Sequence, residues 1–246
     1  MATIKLLHMY PNMLDLYGDS GNVEIIKYRC KKRGIDLEVS SHVIGDDTSD
    51  FSQYDIVYLG GGADLEQQIL ADDLLKCKDA IKNAYDKGTF FLMICGGYQL
   101  MGQYYKDSNG EKIPGLALFD YYTVASTDKG KRCIGNIVIE AELDGEKYKV
   151  IGFENHGGQT QNVTSPFGKV LAGNGNCFSS ETEGYIEKNV VATYLHGPLL
   201  SKNPKLCDHI INYVMTRKTG EKYTAEPIND KLEEECREVL FARLLK

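Results

Sequence analysis

Two residues in this chain stand where apolar runs end, and together they could form a nucleophile and its base. Residues 89–94 read TFFLMI and are followed by Cys95-Gly96-Gly97-Tyr98-Gln99, after which the pattern turns helical. A second apolar run, NVVATYL, delivers His196-Gly197-Pro198. A thiol at a tight strand-to-helix turn can be activated by a histidine that takes its proton, while the helix N-terminus favours negative charge on the sulfur and on the oxyanion that follows. A lone cysteine closing a core strand is more often structural. The two glycines after Cys95 change that balance. They permit a sharp turn and let a substrate approach backbone N–H groups, with the Gly96 N–H placed for an oxyanion. Gln99 lies one turn on and can aim its amide at a polar substrate.

These residues need a frame. Residues 4–10 (IKLLHMY), 35–43 (IDLEVSSHV), 55–59 (DIVYL) and 89–94 read as strands; 21–32, 64–87 and 97–105 read as helices, with Gly34 and Gly88 as stops. This β-α-β-α order predicts a mainly parallel sheet flanked by helices, an α/β three-layer flavodoxin-like fold. After residue 110 the strand-like segments YYTVAS, CIGNIVIEAEL, KYKVIGFEN and GKVLAGNG, separated by Gly-rich turns, predict an antiparallel extension. Two helices close the chain, at about 204–218 and 229–246, and the stripe Leu232, Cys236, Val239, Leu240 and Leu244 predicts a packed face on the second. No repeat or linker interrupts 1–246, so a single domain is expected, the C-terminal helices from about 204 included.

Net charge is -7 over 246 residues, which leaves no basic footprint for nucleic acid or an anionic membrane. No apolar run is long enough to span a bilayer, and the N-terminus reads as a strand rather than a signal peptide. The cysteines at 30, 77, 95, 133, 177, 207 and 236 form no CxxC pair, which fits a reducing cytoplasm.

The Gly60-Gly61-Gly62 loop follows a strand but lacks the Gly-Lys-Ser/Thr of a phosphate loop, so nucleotide binding is rejected there. It is a tight turn in which one N–H, assigned to Gly61, can supply a second oxyanion donor. His156, in ENHGG, is a rival to His196; His8, His42 and His209 are assigned to core or surface. No His/Cys/Asp/Glu set has zinc spacing, and no metal is expected.

Taken together, ICGGYQ, GFENHGGQT and TYLHGP resemble class I glutamine amidotransferases of the CobB/CobQ branch. The opening MYPNMLDLYGDSGNV, the GGGADLEQ loop and the GNIVIE strand resemble, more narrowly, the glutaminase subunits of bacterial lipid II isoglutaminyl synthase, the GatD-like proteins. The resemblance runs over essentially the whole chain. It implies that Cys95 attacks the side-chain amide of L-glutamine, with His196 as base and then acid, and that the N–H groups of Gly96 and of the glycine loop hold the oxyanion. It places Arg132 on the glutamine, where a guanidinium can grip an α-carboxylate. It also implies a heterodimer with a MurT-like Mur ligase subunit. That partner would carry ATP and Mg and use the ammonia to amidate the D-glutamate of lipid II, leaving no cofactor in this chain. Many triad amidotransferases carry a glutamate two residues after the histidine; here Pro198 stands there. The orienting acid then comes from elsewhere in the chain, such as Glu154, or from the partner, which is favoured. The alternatives are a glutaminase for cobyric acid-type amidation, a different thiol hydrolase on a flavodoxin-like sheet, and a non-catalytic binding subunit with a degraded site.

Overall fold

The computed structural model describes residues 2–47 and 50–245. Its first half builds the frame: β1 (Thr3–Met9), α1 (Gly21–Lys31), β2 (Asp36–His42), β3 (Ile56–Leu59), α2 (Asp64–Lys76), α3 (Lys78–Asp86), β4 (Phe90–Ile94) and α4 (Gly96–Met101). Short strands β5 (Tyr104–Lys106), β6 (Lys112–Pro114) and β7 (Tyr122–Ala125) follow, then the long pair β8 (Cys133–Leu143) and β9 (Glu146–His156). The rest comprises β10 (Gly158–Gln161), β11 (Gly168–Ala172), β12 (Thr182–Glu183), β13 (Tyr185–Glu187), β14 (Val190–Thr193), α5 (Leu199–Lys202), α6 (Pro204–Thr219) and α7 (Lys231–Leu244).

The main sheet has the order β13-β14-β4-β3-β1-β2. All its pairings are parallel except that of β13 with β14. Strands β3 and β4 are buried at every position, as central strands covered on both faces must be. Register decides where the chemistry emerges. Leu59 pairs with Met93 and Ile94 with Thr193, so β3, β4 and β14 end together. The glycine loop, Cys95 and His196 therefore leave the sheet at one carboxyl edge, where open α/β sheets bind ligands.

Two smaller four-stranded sheets form the expected extension, one of order β12-β11-β8-β9 and one of order β10-β7-β5-β6. The first is antiparallel throughout, whereas β5 runs parallel to β7 in the second. One backbone bridge ties the extension to the histidine itself. Phe153 N donates to His196 O (3.1 Å) and His196 N to Phe153 O (2.9 Å), so β9 clamps the histidine backbone.

Two expectations are corrected. The helix predicted over 97–105 stops at Met101, because Gly102 turns extended and packs on Tyr121: a Cβ there would lie 2.5 Å from the Tyr121 carbonyl oxygen. The apolar stripe of α7 does not pack as expected, since Leu232 is 69% and Val239 61% exposed and Cys236 is also exposed. The helix docks through Arg237 instead. This side chain donates to Lys202 O (2.7 Å), Asn203 Oδ1 (2.7 Å) and Lys149 O (2.6 Å), with its guanidinium 4.4 Å from the Tyr148 ring. Residue 246, the end of the predicted second helix, lies outside the described residues.

Candidate active site

Cys95 caps α4 with φ 50° and ψ -101°, an uncommon conformation for a residue with a Cβ. The turn is fixed on both sides: Cys95 N donates to Thr193 O (2.8 Å) and Gln99 N to Cys95 O (2.9 Å). Gly97 lets the helix start so close to β3, because a Cβ there would lie 2.6 Å from the Leu59 carbonyl oxygen. Cys95 is 5% exposed and lines a cavity of about 950 Å³ together with Gly62, Gln99, Arg132, Asn155 and His156.

His196 is fully buried and lies beside Cys95. Its Nδ1 donates to Asp19 Oδ2 at 2.8 Å. Its Nε2 has no hydrogen-bond partner among the described residues, and Cys95 is the neighbour that raises the ring's pKa most. Burial pulls the imidazole pKa down, but Cys95 and the Asp19 carboxylate outweigh this and raise it to about 10. An ionised carboxylate only accepts, so the Asp19 bond keeps the proton on Nδ1 and leaves Nε2 to exchange one with the sulfur.

Asp19 answers the question posed by Pro198. It sits in the turn between the 3-10 helix Leu16–Gly18 and α1, laced to the glycine loop by Leu16 N to Gly61 O (3.1 Å). Tyr58 OH donates to its carbonyl at 2.7 Å. An orienting acid from this chain therefore occupies the histidine, contrary to the expectation that a partner supplies it. Glu154 is excluded from that role: its oxygens accept from Asn174 N (2.7 Å), Asn174 Nδ2 (3.0 Å) and Gly175 N (3.0 Å). Burial pushes the Glu154 carboxyl up, yet the donors around it, His156 among them, hold it below the usual range.

The glycine loop behaves differently from expectation in one respect. The Gly61 N–H donates to Asp19 Oδ2 (3.2 Å) and is not free for an oxyanion. Gly61 is needed for space, since a Cβ there would lie 2.6 Å from His196 Cε1 and 3.3 Å from Cys95 Cβ. The Gly62 N–H has no acceptor among the described residues, and its nitrogen would lie 3.1 Å from a Cβ on Gly96. Gly62 and Gly96, the first residue of α4, are therefore the pair of N–H donors beside the sulfur.

Gln99 forms part of the cavity wall, its amide held by Gln67 Nε2 (3.0 Å) and by its own donation to Tyr194 OH (3.3 Å). Arg132 is exposed at the cavity, with Nε donating to Asn155 Oδ1 (2.9 Å) and its terminal nitrogens without a partner among the described residues. The rival His156 lies flat on Tyr194, 3.6 Å between centroids, and donates from Nδ1 to Gly158 O (2.7 Å), which makes it wall rather than base.

The described residues also bring His42, Asp73 and Cys77 within 4.8 Å of one another, a grouping that spacing did not reveal. Asp73 there accepts from Tyr10 OH (2.8 Å) and Gly45 N (3.0 Å), and His42 faces it at 3.4 Å, so hydrogen bonds account for the group.

The CobB/CobQ-like glutamine amidotransferase domain matches residues 5–204. The chain belongs to that family. It is 39% identical over 96% of its length to the lipid II isoglutaminyl synthase (glutamine-hydrolyzing) subunit GatD of Streptococcus pneumoniae, covering 89% of that protein. It is 36% identical over 99% of its length to the subunit of the same name from Staphylococcus aureus, covering 97% of it. A cobyric acid synthase of Listeria monocytogenes is 31% identical over 80% of this chain, but that match spans only 39% of the synthase. Among solved structures the fold is similar to PurLQS from Thermotoga maritima, with a TM-score of 0.56, 15% identity, and 88% of this chain and 99% of that one covered.

Proposed function

We propose that this chain is the glutamine-hydrolysing subunit of a lipid II isoglutaminyl synthase. The observation that carries the chemistry is the buried line Asp19–His196–Cys95 beside two unengaged backbone N–H groups. Cys95 gives its proton to His196 Nε2, and the sulfur attacks the side-chain amide carbon of glutamine. The N–H groups of Gly62 and Gly96 receive the oxyanion. His196 returns the proton to the leaving nitrogen, ammonia departs and a γ-glutamyl thioester remains. The histidine then takes a proton from water, which attacks the thioester to release glutamate and the thiol. Arg132 holds the α-carboxylate with its terminal nitrogens.

Likeness along nearly the full length to two proteins named as GatD supports the acceptor. A Mur-ligase-like partner carrying ATP and Mg would receive the ammonia and amidate the D-glutamate α-carboxyl of lipid II, in the cytoplasm. Cobyric acid-type amidation is the second reading, less favoured because those relatives match over only 39% of their length. The test uses glutamine labelled with 15N in its side-chain amide, the co-expressed ligase subunit, ATP and lipid II. Label entering lipid II only when both subunits and Cys95 are present is expected. Glutamate release without transfer to lipid II would move the acceptor assignment elsewhere.

A further inference from the structure

Tyr17 is used by none of the steps above, yet it holds an unusual place. It has φ 58° and ψ 23° inside the 3-10 helix Leu16–Gly18, the left-handed region that residues with side chains rarely occupy. The backbone turns there to lay the ring over the site. The ring meets His196 edge-on, with 4.9 Å between centroids, and Phe153 at 5.8 Å. Its hydroxyl accepts a hydrogen bond from Asn155 Nδ2, and Asn155 Oδ1 accepts from Arg132 Nε at 2.9 Å. All three residues line the same cavity.

The orientation of the Asn155 amide follows from these two bonds. Its oxygen can only accept, so it faces the guanidinium; its nitrogen can only donate, so it faces the phenol. Arg132 would otherwise be a long exposed side chain with several rotamers to lose on meeting a substrate. Tying Nε to Asn155 fixes the plane of the guanidinium and leaves the Nη1/Nη2 edge for a carboxylate.

We infer that Tyr17 and Asn155 are positioning residues for amino-acid recognition, holding Arg132 so that the α-carboxylate of glutamine is gripped while the side-chain amide reaches Cys95. The inference rests on the glutaminase reading and on the carboxylate role of Arg132. It adds that recognition of the amino-acid head group is set by a hydrogen-bonded arch that starts on the ring covering His196. A ligand with no α-carboxylate gains nothing from the arch.

Two reagents that alkylate Cys95 separate the possibilities in the full chain. One is 6-diazo-5-oxo-L-norleucine, a glutamine analogue with the amino-acid head group; the other is iodoacetamide, which has none. Rates are followed by the mass of the Cys95 peptide in wild type, Tyr17→Phe, Asn155→Ala and Arg132→Ala. Tyr17→Phe keeps the ring on His196 and removes only the hydroxyl. Loss of one hydrogen bond in the arch is expected to slow the diazo analogue about fivefold to tenfold. Arg132→Ala should slow it more, and iodoacetamide should be unaffected within about twofold in all three variants. In an Arg132→Ala background, Tyr17→Phe should add nothing further. If Tyr17→Phe and Asn155→Ala slow both reagents alike, they act on His196 or on the fold and the inference falls. It falls equally if they slow neither while Arg132→Ala slows the analogue. If Arg132→Ala itself does not distinguish the reagents, the carboxylate role of Arg132 fails and the arch with it.

Discussion

Replacing Asp19 with Asn should disable the site while leaving the fold in place. Asp19 Oδ2 lies 2.8 Å from His196 Nδ1 with both side chains at 0% exposure, so water does not screen the pair. With charges roughly 4 Å apart and an effective dielectric of about 20, a carboxylate stabilises an imidazolium by about 4 kcal/mol. At about 1.4 kcal/mol per decade, its loss slows any step that charges His196 about a thousandfold. The amide adds a second fault, since an Asn nitrogen turned toward the ring favours the wrong tautomer. Oδ2 serves both His196 and Gly61, so an amide oxygen in that place keeps the Gly61 N–H satisfied and loses only the charge, whereas an amide nitrogen there also leaves the Gly61 N–H without its acceptor. The assay is glutamate release by Asp19→Asn and wild type, each alone and with the ligase subunit. It is joined by the pH dependence of Cys95 alkylation by iodoacetamide. The imidazole, raised to about 10 in the native chain, should titrate lower in the variant, so its alkaline limb should move down in pH. Activity within threefold of wild type, with the ligase subunit present and the alkaline limb unmoved, would rule Asp19 out as the orienting acid. It would return the orienting role to an acid from the partner.

Other outcomes follow from single contacts. Gly61→Ala places a methyl 2.6 Å from His196 Cε1 and should lower glutamine hydrolysis at least a hundredfold, with near-normal circular dichroism. Glu183 is fully buried, accepts from Tyr194 N at 2.7 Å, and is raised by burial from 4.5 to about 8, so the folded state keeps its proton at neutral pH. Its contribution to stability is complete below about pH 4.5 and is lost as pH rises toward 8. Glu183→Gln should therefore remove a loss on the order of a few kcal/mol between pH 5 and 9, read as a flatter Tm profile than wild type. Arg237→Ala strips α7 of its three acceptor contacts and should cost about 3 kcal/mol in urea unfolding, with the segment before α7 opened to protease.

The site was legible where a local pattern forces it. Cys95-Gly96-Gly97 must turn sharply after an apolar strand, and His196-Gly197-Pro198 must leave one, so both residues were readable at the sheet's edge. The alternation of strand and helix in the first half fixed the parallel sheet for the same reason. Asp19 was not legible, because 177 positions separate it from the histidine it orients. An Asp before Ser20-Gly21 also reads as an ordinary helix start. The turn that carries it, LYGDSG, held the missed signal: glycines bracketing an acid, with an aromatic just before them, in the loop that follows β1. The choice of Gly62 over Gly61 was equally hidden, since which N–H is free depends on where Asp19 reaches. The α7 stripe misled because an apolar pattern reports what could pack. There the buried guanidinium of Arg237 found better acceptors in the Lys202 carbonyl that ends α5 and the Lys149 carbonyl of β9.

Cys95 is the residue proposed to carry the γ-glutamyl group. The most direct measurement is rapid acid quench of the full chain with the ligase subunit during glutamine turnover, followed by peptide mass spectrometry. A γ-glutamyl thioester is expected on the Cys95 peptide, absent in Cys95→Ala, which should also release no glutamate. Glutamate release that persists in Cys95→Ala, or an adduct on another residue, would contradict it.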